Sequence, residues 1–262
     1  MDGTVLNIVL GVVSSAVSAA LAWTLQAALR RRMLDRKRAF FGMYPGTECL
    51  IVSPRKGGTT AEERVVALRD VYAMMELAAL VGDCGATAEI IGAADVRQGL
   101  GGRAEFCIGG PTANERTAAH LRWRLPGVSV TAEWEAAGAP GLTIGDRTYT
   151  REKGVADYVL LARITGGAGE RPTFLVCGQT AVSNLAAVRL LSRRYRELIR
   201  AHGPQGTFAL LLRVVQPNAY GSDVVELVGD VTAQASAPAP IPGRAPDPAP
   251  TAGTAPAPGG SA

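Results

Sequence analysis

Three short segments combine glycine with hydroxyl, amide or basic side chains, a mixture suited to holding phosphate. They are Ser53-Pro54-Arg55-Lys56-Gly57-Gly58-Thr59-Thr60, Gly109-Gly110-Pro111-Thr112-Ala113-Asn114 and Gly178-Gln179-Thr180. Each follows an apolar run and precedes a helical pattern. The first N–H groups of such a helix lack intrahelical partners and carry partial positive charge, which favours an anion. Arg55 and Lys56 add two cations to the first loop, and Asp95 stands just beyond the second strand, where an acid can take a ribose hydroxyl. The candidate ligand-binding residues are therefore Arg55, Lys56, Asp95, Gly109, Gly110, Asn114, Gly178 and Thr180. No loop carries G-x-G-x-x-G or G-x-x-x-x-G-K-[ST]. The competing reading is architectural: the glycines permit tight turns, while Thr112, with Glu115 three residues on, caps a helix.

Groups for catalysis are scarce. His120 falls within a helical pattern and His202 at a helix end, where the helix dipole accounts for it. No His/Cys/Asp set has metal-ligand spacing, so no metal is expected, and no G-x-S-x-G elbow occurs. Cys177 ends a strand, but no base can be set beside it from sequence. Glu105 and Asp157 flank strands as a candidate carboxylate pair, with solvated strand ends as the usual explanation. No catalytic residue is assigned and no cofactor is named.

Alternating strand and helix patterns must position these groups. Glu48–Ser53 reads as a strand. Thr60–Gly82 reads as a helix, opened by a Thr60-x-x-Glu63 capping box, with Val65, Leu68, Val71, Tyr72, Met75 and Ala79 at helical spacing. Strands follow at 86–91 and 104–108, then a helix to about Leu125, a strand at 128–134 and a turn-rich hairpin to Thr150. Further strands cover 157–164 and 173–177, before a helix over 181–202 with Leu185, Val188, Leu191, Tyr195 and Leu198 inward. Phe208–Val215 and Val224–Val231 read as a terminal antiparallel pair. The alternation predicts one α/β, Rossmann-like domain with a mainly parallel sheet. Two units, Phe106–Asn114 and Phe174–Asn184, repeat the order strand, glycine loop, helix.

From Val5 to Leu29 there is no charged residue. As a helix this stretch spans about 37 Å, enough to cross a ~30 Å hydrocarbon core. Residues 30–38 then hold six basic groups and one acid, net +5. Asp2 is the only other charge before residue 39, so residues 39–262 sum to zero. The positive block after the apolar run predicts a single-pass span with the N-terminus outside and the following domain cytoplasmic. A cleaved signal peptide has its basic residues before the apolar run, and an interfacial helix needs a charged face. Within the span Asn7, Gly11, Ser14 and Ser18 share one face, where a second helix can approach and form a homo-oligomer, although small residues are common in any span. The neutral body makes nucleic acid an unexpected partner.

The four cysteines are widely spaced and suit buried thiols in a reducing compartment. On helix 181–202, Arg189, Arg193, Arg196 and Arg200 form a stripe that is either a solvated face or one apposed to anionic headgroups. From Ala233 onward, proline and alanine dominate and predict a disordered tail. The organisation expected is thus an anchor over 1–29, a basic segment over 30–46, an α/β domain over 47–232 and a tail over 233–262.

The motif order resembles a group of uncharacterised bacterial membrane-anchored proteins, over roughly residues 47–200. The resemblance lies in a strand running into Gly109-Gly110-Pro111-x-x-Asn114 and a helix, an Asp157-Tyr158 strand, then a strand entering Gly178-x-Thr180 and a last helix. Gln179 departs from a loop richer in glycine in that group, and no activity is carried over. Together these features point to an anchored cytoplasmic domain that binds a nucleotide or phosphorylated small molecule, as a sensor. A non-catalytic interaction module is the second reading and an enzyme the third.

Overall fold

The computed structural model of the chain describes residues 2–55, 65–97, 99, 101–131, 141–167 and 169–238; the side chains of residues 2, 4–9 and 12 lie outside that description. Lys56, the Thr60–Glu63 capping box and residues 239–262 of the expected 233–262 tail are likewise outside it; the start of that tail is instead a short helix, Thr232–Ser236, with Ala235 fully buried.

The chain opens with helix α1 (Asp2–Phe41), then β1 (Glu48–Ser53), α2 (Leu68–Asp83), β2 (Thr87–Gly92), a 3-10 turn over Ala93–Asp95, β3 (Ala104–Ile108) and α3 (Glu115–Arg124). A small antiparallel sheet follows from β4 (Val128–Thr131), β5 (Gly141–Ile144) and β6 (Arg147–Thr150). The rest comprises β7 (Ala156–Ile164), β8 (Thr173–Gly178), α4 (Ala181–His202), β9 (Phe208–Val215), α5 (Pro217–Tyr220), β10 (Val225–Asp230) and α6 (Thr232–Ser236).

The main sheet has seven strands in the order β10-β9-β7-β8-β3-β1-β2. β2, β1, β3 and β8 pair in parallel, as βαβ crossovers allow. β7 is antiparallel to both β8 and β9, and β10 closes the edge antiparallel to β9. Five of the seven strands thus point one way, and the terminal antiparallel pair is present as expected. The short link from β7 to β8 is why that pair is antiparallel: a parallel return needs a crossover of a dozen or more residues.

Alternate side chains of the sheet feed two cores. α2, α4 and the end of α1 cover one face, with Ile51, Phe106, Phe174, Val176 and Leu210 beneath them. α3, α6 and the small sheet cover the other, over Val52, Cys107, Leu160, Leu175 and Leu211. The two repeated units lie side by side, Phe106 in register with Phe174, yet their helices cover opposite faces, so the symmetry ends at the strands.

In α2 the structure selects which apolar stripe is buried. Its buried face is Asp70, Ala73, Met74, Leu77, Leu80 and Val81, whereas Leu68, Tyr72 and Met75 are exposed. The helix has an apolar stripe on each side, and periodicity alone does not say which one meets the sheet.

α1 runs without a break through the basic segment and ends inside the domain. Phe40, Phe41 and Met43 are fully buried, so the core begins upstream of residue 47. Phe41 packs on Phe174 at 5.3 Å and on Phe40 edge-to-face at 4.9 Å. Burial of each such side chain contributes about 2–3 kcal/mol. Gly42 ends the helix with φ +66°, and a Cβ there would meet Pro172 Cδ at 2.2 Å. Arg163 of β7, 1% exposed, donates from Nε to Phe40 O at 3.0 Å, and from its other nitrogens to Gly206 O and Pro204 O. Burial pulls its pKa down to about 10, which leaves it charged at neutral pH and able to cap the negative end of the helix dipole.

Among the described residues no helix is long and apolar enough to cross a membrane. The expected span draws in part on side chains outside that set, so anchoring stays a proposal.

Candidate functional site: the carboxyl edge of the sheet

β1, β2, β3 and β8 all end at one edge, where β7 begins. The chain passes from β1 to β2 on one side and then to β3 on the other, so the strand order reverses around β1. Open α/β sheets bind ligands just beyond the carboxyl ends at such a reversal.

A cleft of about 240 Å³ lies there, lined by Ser53–Arg55, Val65, Val66, Gly92–Asp95, Ala113 and Glu115. The loop after β1 supplies Arg55, and the 3-10 turn after β2 supplies Asp95, whose Oδ2 lies 3.1 Å from where a Cβ on Gly92 would stand. Arg55 donates to Thr112 O at 3.2 Å and meets Glu115 Oε1 at 3.5 Å. Val65, Val66, Ala93 and Ala94 provide apolar wall. The cleft therefore pairs a cation and two acids with a greasy side.

The Gly109–Asn114 loop lies beneath this cleft and is spent on closing it. Gly109 takes φ +94°, and a Cβ there would come within 2.7 Å of Pro54 Cβ. Arg55 N donates to Ala113 O at 2.8 Å. Asn114 is fully buried. Its Nδ2 donates to Val52 O and Ile108 O, and its Oδ1 accepts from Arg116 N and Thr117 N. One side chain thus ties two strand ends together and caps α3. Thr112, the cap expected from sequence, gives way to Asn114 two residues later. Gly110 has room: a Cβ would find Cys177 Sγ and Val130 Cγ1 only at 3.9 Å.

Gly178 and Thr180 sit further along the edge, at the start of α4. Thr180 caps α4 in a reciprocal box with Ser183, and its Oγ1 donates to Asp157 Oδ2 at 2.6 Å. A Cβ on Gly178 would strike Asn184 Oδ1 and Ser183 Oγ at 2.5 Å. Gln179 accepts from Tyr158 N and donates to Tyr149 O. By contrast, the residue that precedes α2 is Ala67, which offers no side-chain cap. The structure thus brings Arg55 and Asp95 to one cleft, sets Gly109 and Asn114 under it, and keeps Gly178 and Thr180 apart; Lys56 is outside the described residues.

Asp70, in the first turn of α2, is 6% exposed, and its Oδ1 accepts from Asn184 Nδ2 at 2.9 Å. Burial raises its pKa to about 6, against a smaller lowering by Asn184.

Glu105 and Asp157 are not solvated strand ends. Both are buried, each with its own arginine: Asp157 Oδ1 accepts from Arg151 Nε at 3.0 Å. Glu105 accepts from Arg116 at 2.8 Å on each oxygen, from His120 at 3.1 Å and from Cys107 Sγ at 3.0 Å. Burial alone would raise its pKa, but these hydrogen bonds, Arg116 foremost, hold it at about 2. Glu105, Cys107 and His120 bring one ligand atom each within 4.8 Å, the metal-like grouping among the described residues. The Arg116 guanidinium already covers both carboxylate oxygens, and burial raises the Cys107 thiol, so the cluster is an ion pair in the core. The sequence signal for it is Arg116 and His120 one turn apart on the helix that follows the Glu105 strand.

In comparisons with known proteins, no family model matches the chain and no curated protein matches its sequence.

Proposed function

We propose that the chain is a membrane-anchored cytoplasmic α/β protein that binds a nucleotide or phosphorylated small molecule, as a sensor, in the Arg55–Asp95 cleft. The observation that carries this reading is a contrast between helix ends. α3 and α4 spend their first N–H groups on Asn114 and Thr180, while α2, which opens beside the cleft, has no side-chain cap. An anion at that end meets the N–H groups of Leu68 and Arg69, which have no acceptor among the described residues, with Arg55 lining the same cleft. Asp95 faces the same space for a hydroxyl, and the valine and alanine wall suits a base or other flat apolar group.

Support for the anchor comes from α1. Leu10, Val13, Val17, Leu21, Trp23, Leu25 and Leu29 are all exposed around a helix that has no partner along them among the described residues. The domain receives this helix at the amino edge of the sheet, so the cleft opens on the edge away from the bilayer.

The test is titration calorimetry of the full-length chain in detergent with adenosine and guanosine mononucleotides. Binding that Asp95→Asn and Arg55→Ala weaken at least tenfold supports the reading; no binding at millimolar ligand overturns it. That second outcome favours a non-catalytic interaction module, a reading supported by the use of Gly109, Asn114, Gly178 and Thr180 in internal bonds. A phosphatase fused to the C-terminus should be inactive if the domain is cytoplasmic.

A further inference from the structure

Leu68, Tyr72, Met75 and Ala79, spaced four, three and four along α2, stand opposite its buried face. Leu68 and Met75 are each 63% exposed and Tyr72 is 40% exposed. This 4-3-4 spacing matches the seam of a two-stranded coiled coil, where each apolar side chain seats between those of a facing helix. We propose that the seam receives a second copy of the chain, α2 against α2 in parallel, about a two-fold axis along the membrane normal. The proposal rests on the anchor reading.

Three observations select that occupant. The first is charge. The neighbouring α4 exposes Arg193, Arg196 and Arg200 beside an Arg194–Glu197 pair, a net positive face that repels its own copy, whereas the α2 seam carries no charged side chain. The second is direction. Lys37 of α1 pairs with Asp83 at 3.0 Å, and Arg38 Nε donates to Cys84 O at 2.9 Å, so α2 ends where α1 enters the domain. Two copies anchored in one bilayer therefore present α2 pointing the same way, as in-register pairing requires. The third is area. The seam offers on the order of 400 Å² per copy, about half the ~800 Å² per partner of a standard interface. It is too little to hold a dimer in dilute solution, but enough once tethering confines the copies to a surface at high effective concentration. The Gly11/Ser14/Ser18 face of α1 is compatible with the same axis, the Asn7 side chain lying outside the described residues.

Cysteine cross-linking of the full-length chain in native membranes tests this. All four native cysteines are buried, so the background is low. With Leu68→Cys or Met75→Cys, mild oxidation should convert most of the chain to twice its mass. Arg193→Cys should give at least tenfold less, and Tyr72→Asp added to Leu68→Cys should abolish the product. A membrane-bound chain that cross-links at neither seam position, or equally at Arg193→Cys, overturns the pairing and leaves the anchor standing. A chain released by alkaline carbonate overturns the anchor, and tether-driven pairing with it.

Discussion

At the amino edge of the sheet, Phe40, Phe41, Phe106, Phe174 and Phe208 close over one another, and Arg163 gives its donors to three carbonyls. At the carboxyl edge, polar loops meet and a cleft stays open between Arg55 and Asp95. The same strands thus end in a closed apolar socket for α1 on one side and an open, partly polar cleft on the other. Tight packing is concentrated where α1 enters the domain, and open space where it does not. A substitution at one edge should therefore change stability and at the other binding, with little overlap.

The sharpest break of this contrast is Phe41→Ala. It empties a fully buried ring site and should cost roughly 3–5 kcal/mol in urea unfolding, while the folded fraction keeps its ligand affinity. Arg163→Leu should cost about 2–4 kcal/mol, because Phe40 O, Gly206 O and Pro204 O lose charged donors in a dry place. A loss below about 1 kcal/mol would show the socket to be merely greasy.

Two buried carboxylates carry opposite pH signatures. Asp70 titrates at about 6 when folded against an ordinary 3.8, so the folded state holds its proton more tightly and stability rises as pH falls from 6 towards 4. Glu105 titrates at about 2 against 4.5, so its contribution is complete above pH 4.5 and is lost as pH falls towards 2. Asp70→Asn should raise stability at pH 7 by on the order of 2 kcal/mol and flatten the profile between pH 4 and 6. Unchanged pH dependence in that variant would refute the burial argument. The mildest effect on folding is expected for Arg55→Ala. Its partly exposed pair with Glu115 should be worth under about 0.5 kcal/mol, while ligand affinity falls at least tenfold.

Much of the frame was legible in the chain. β1, the span of α4 and the antiparallel pair β9/β10 follow from runs and periods long enough to be unambiguous. The switch to antiparallel pairing at β7 was not read, although the short 165–172 link implies it. The candidate site was half legible. Arg55 and Asp95 sit together because two strand ends are neighbours, an outcome the alternating pattern anticipates. Asn114 was singled out as a ligand residue, but all its hydrogen-bonding groups are turned inward, and no local pattern distinguishes a clamp from a donor.

By itself the sequence determined the α/β alternation, the uncharged stretch before the arginines and the glycine turns, because these depend on neighbours a few residues apart. Only the tertiary structure decided which stripe of α2 is buried, that Phe40 and Phe41 belong to the core, and that Glu105 is an arginine-paired core residue. Each of those depends on which surfaces meet across the sheet. Burial energy is set by what covers a side chain, and what covers it comes from residues far away in the chain.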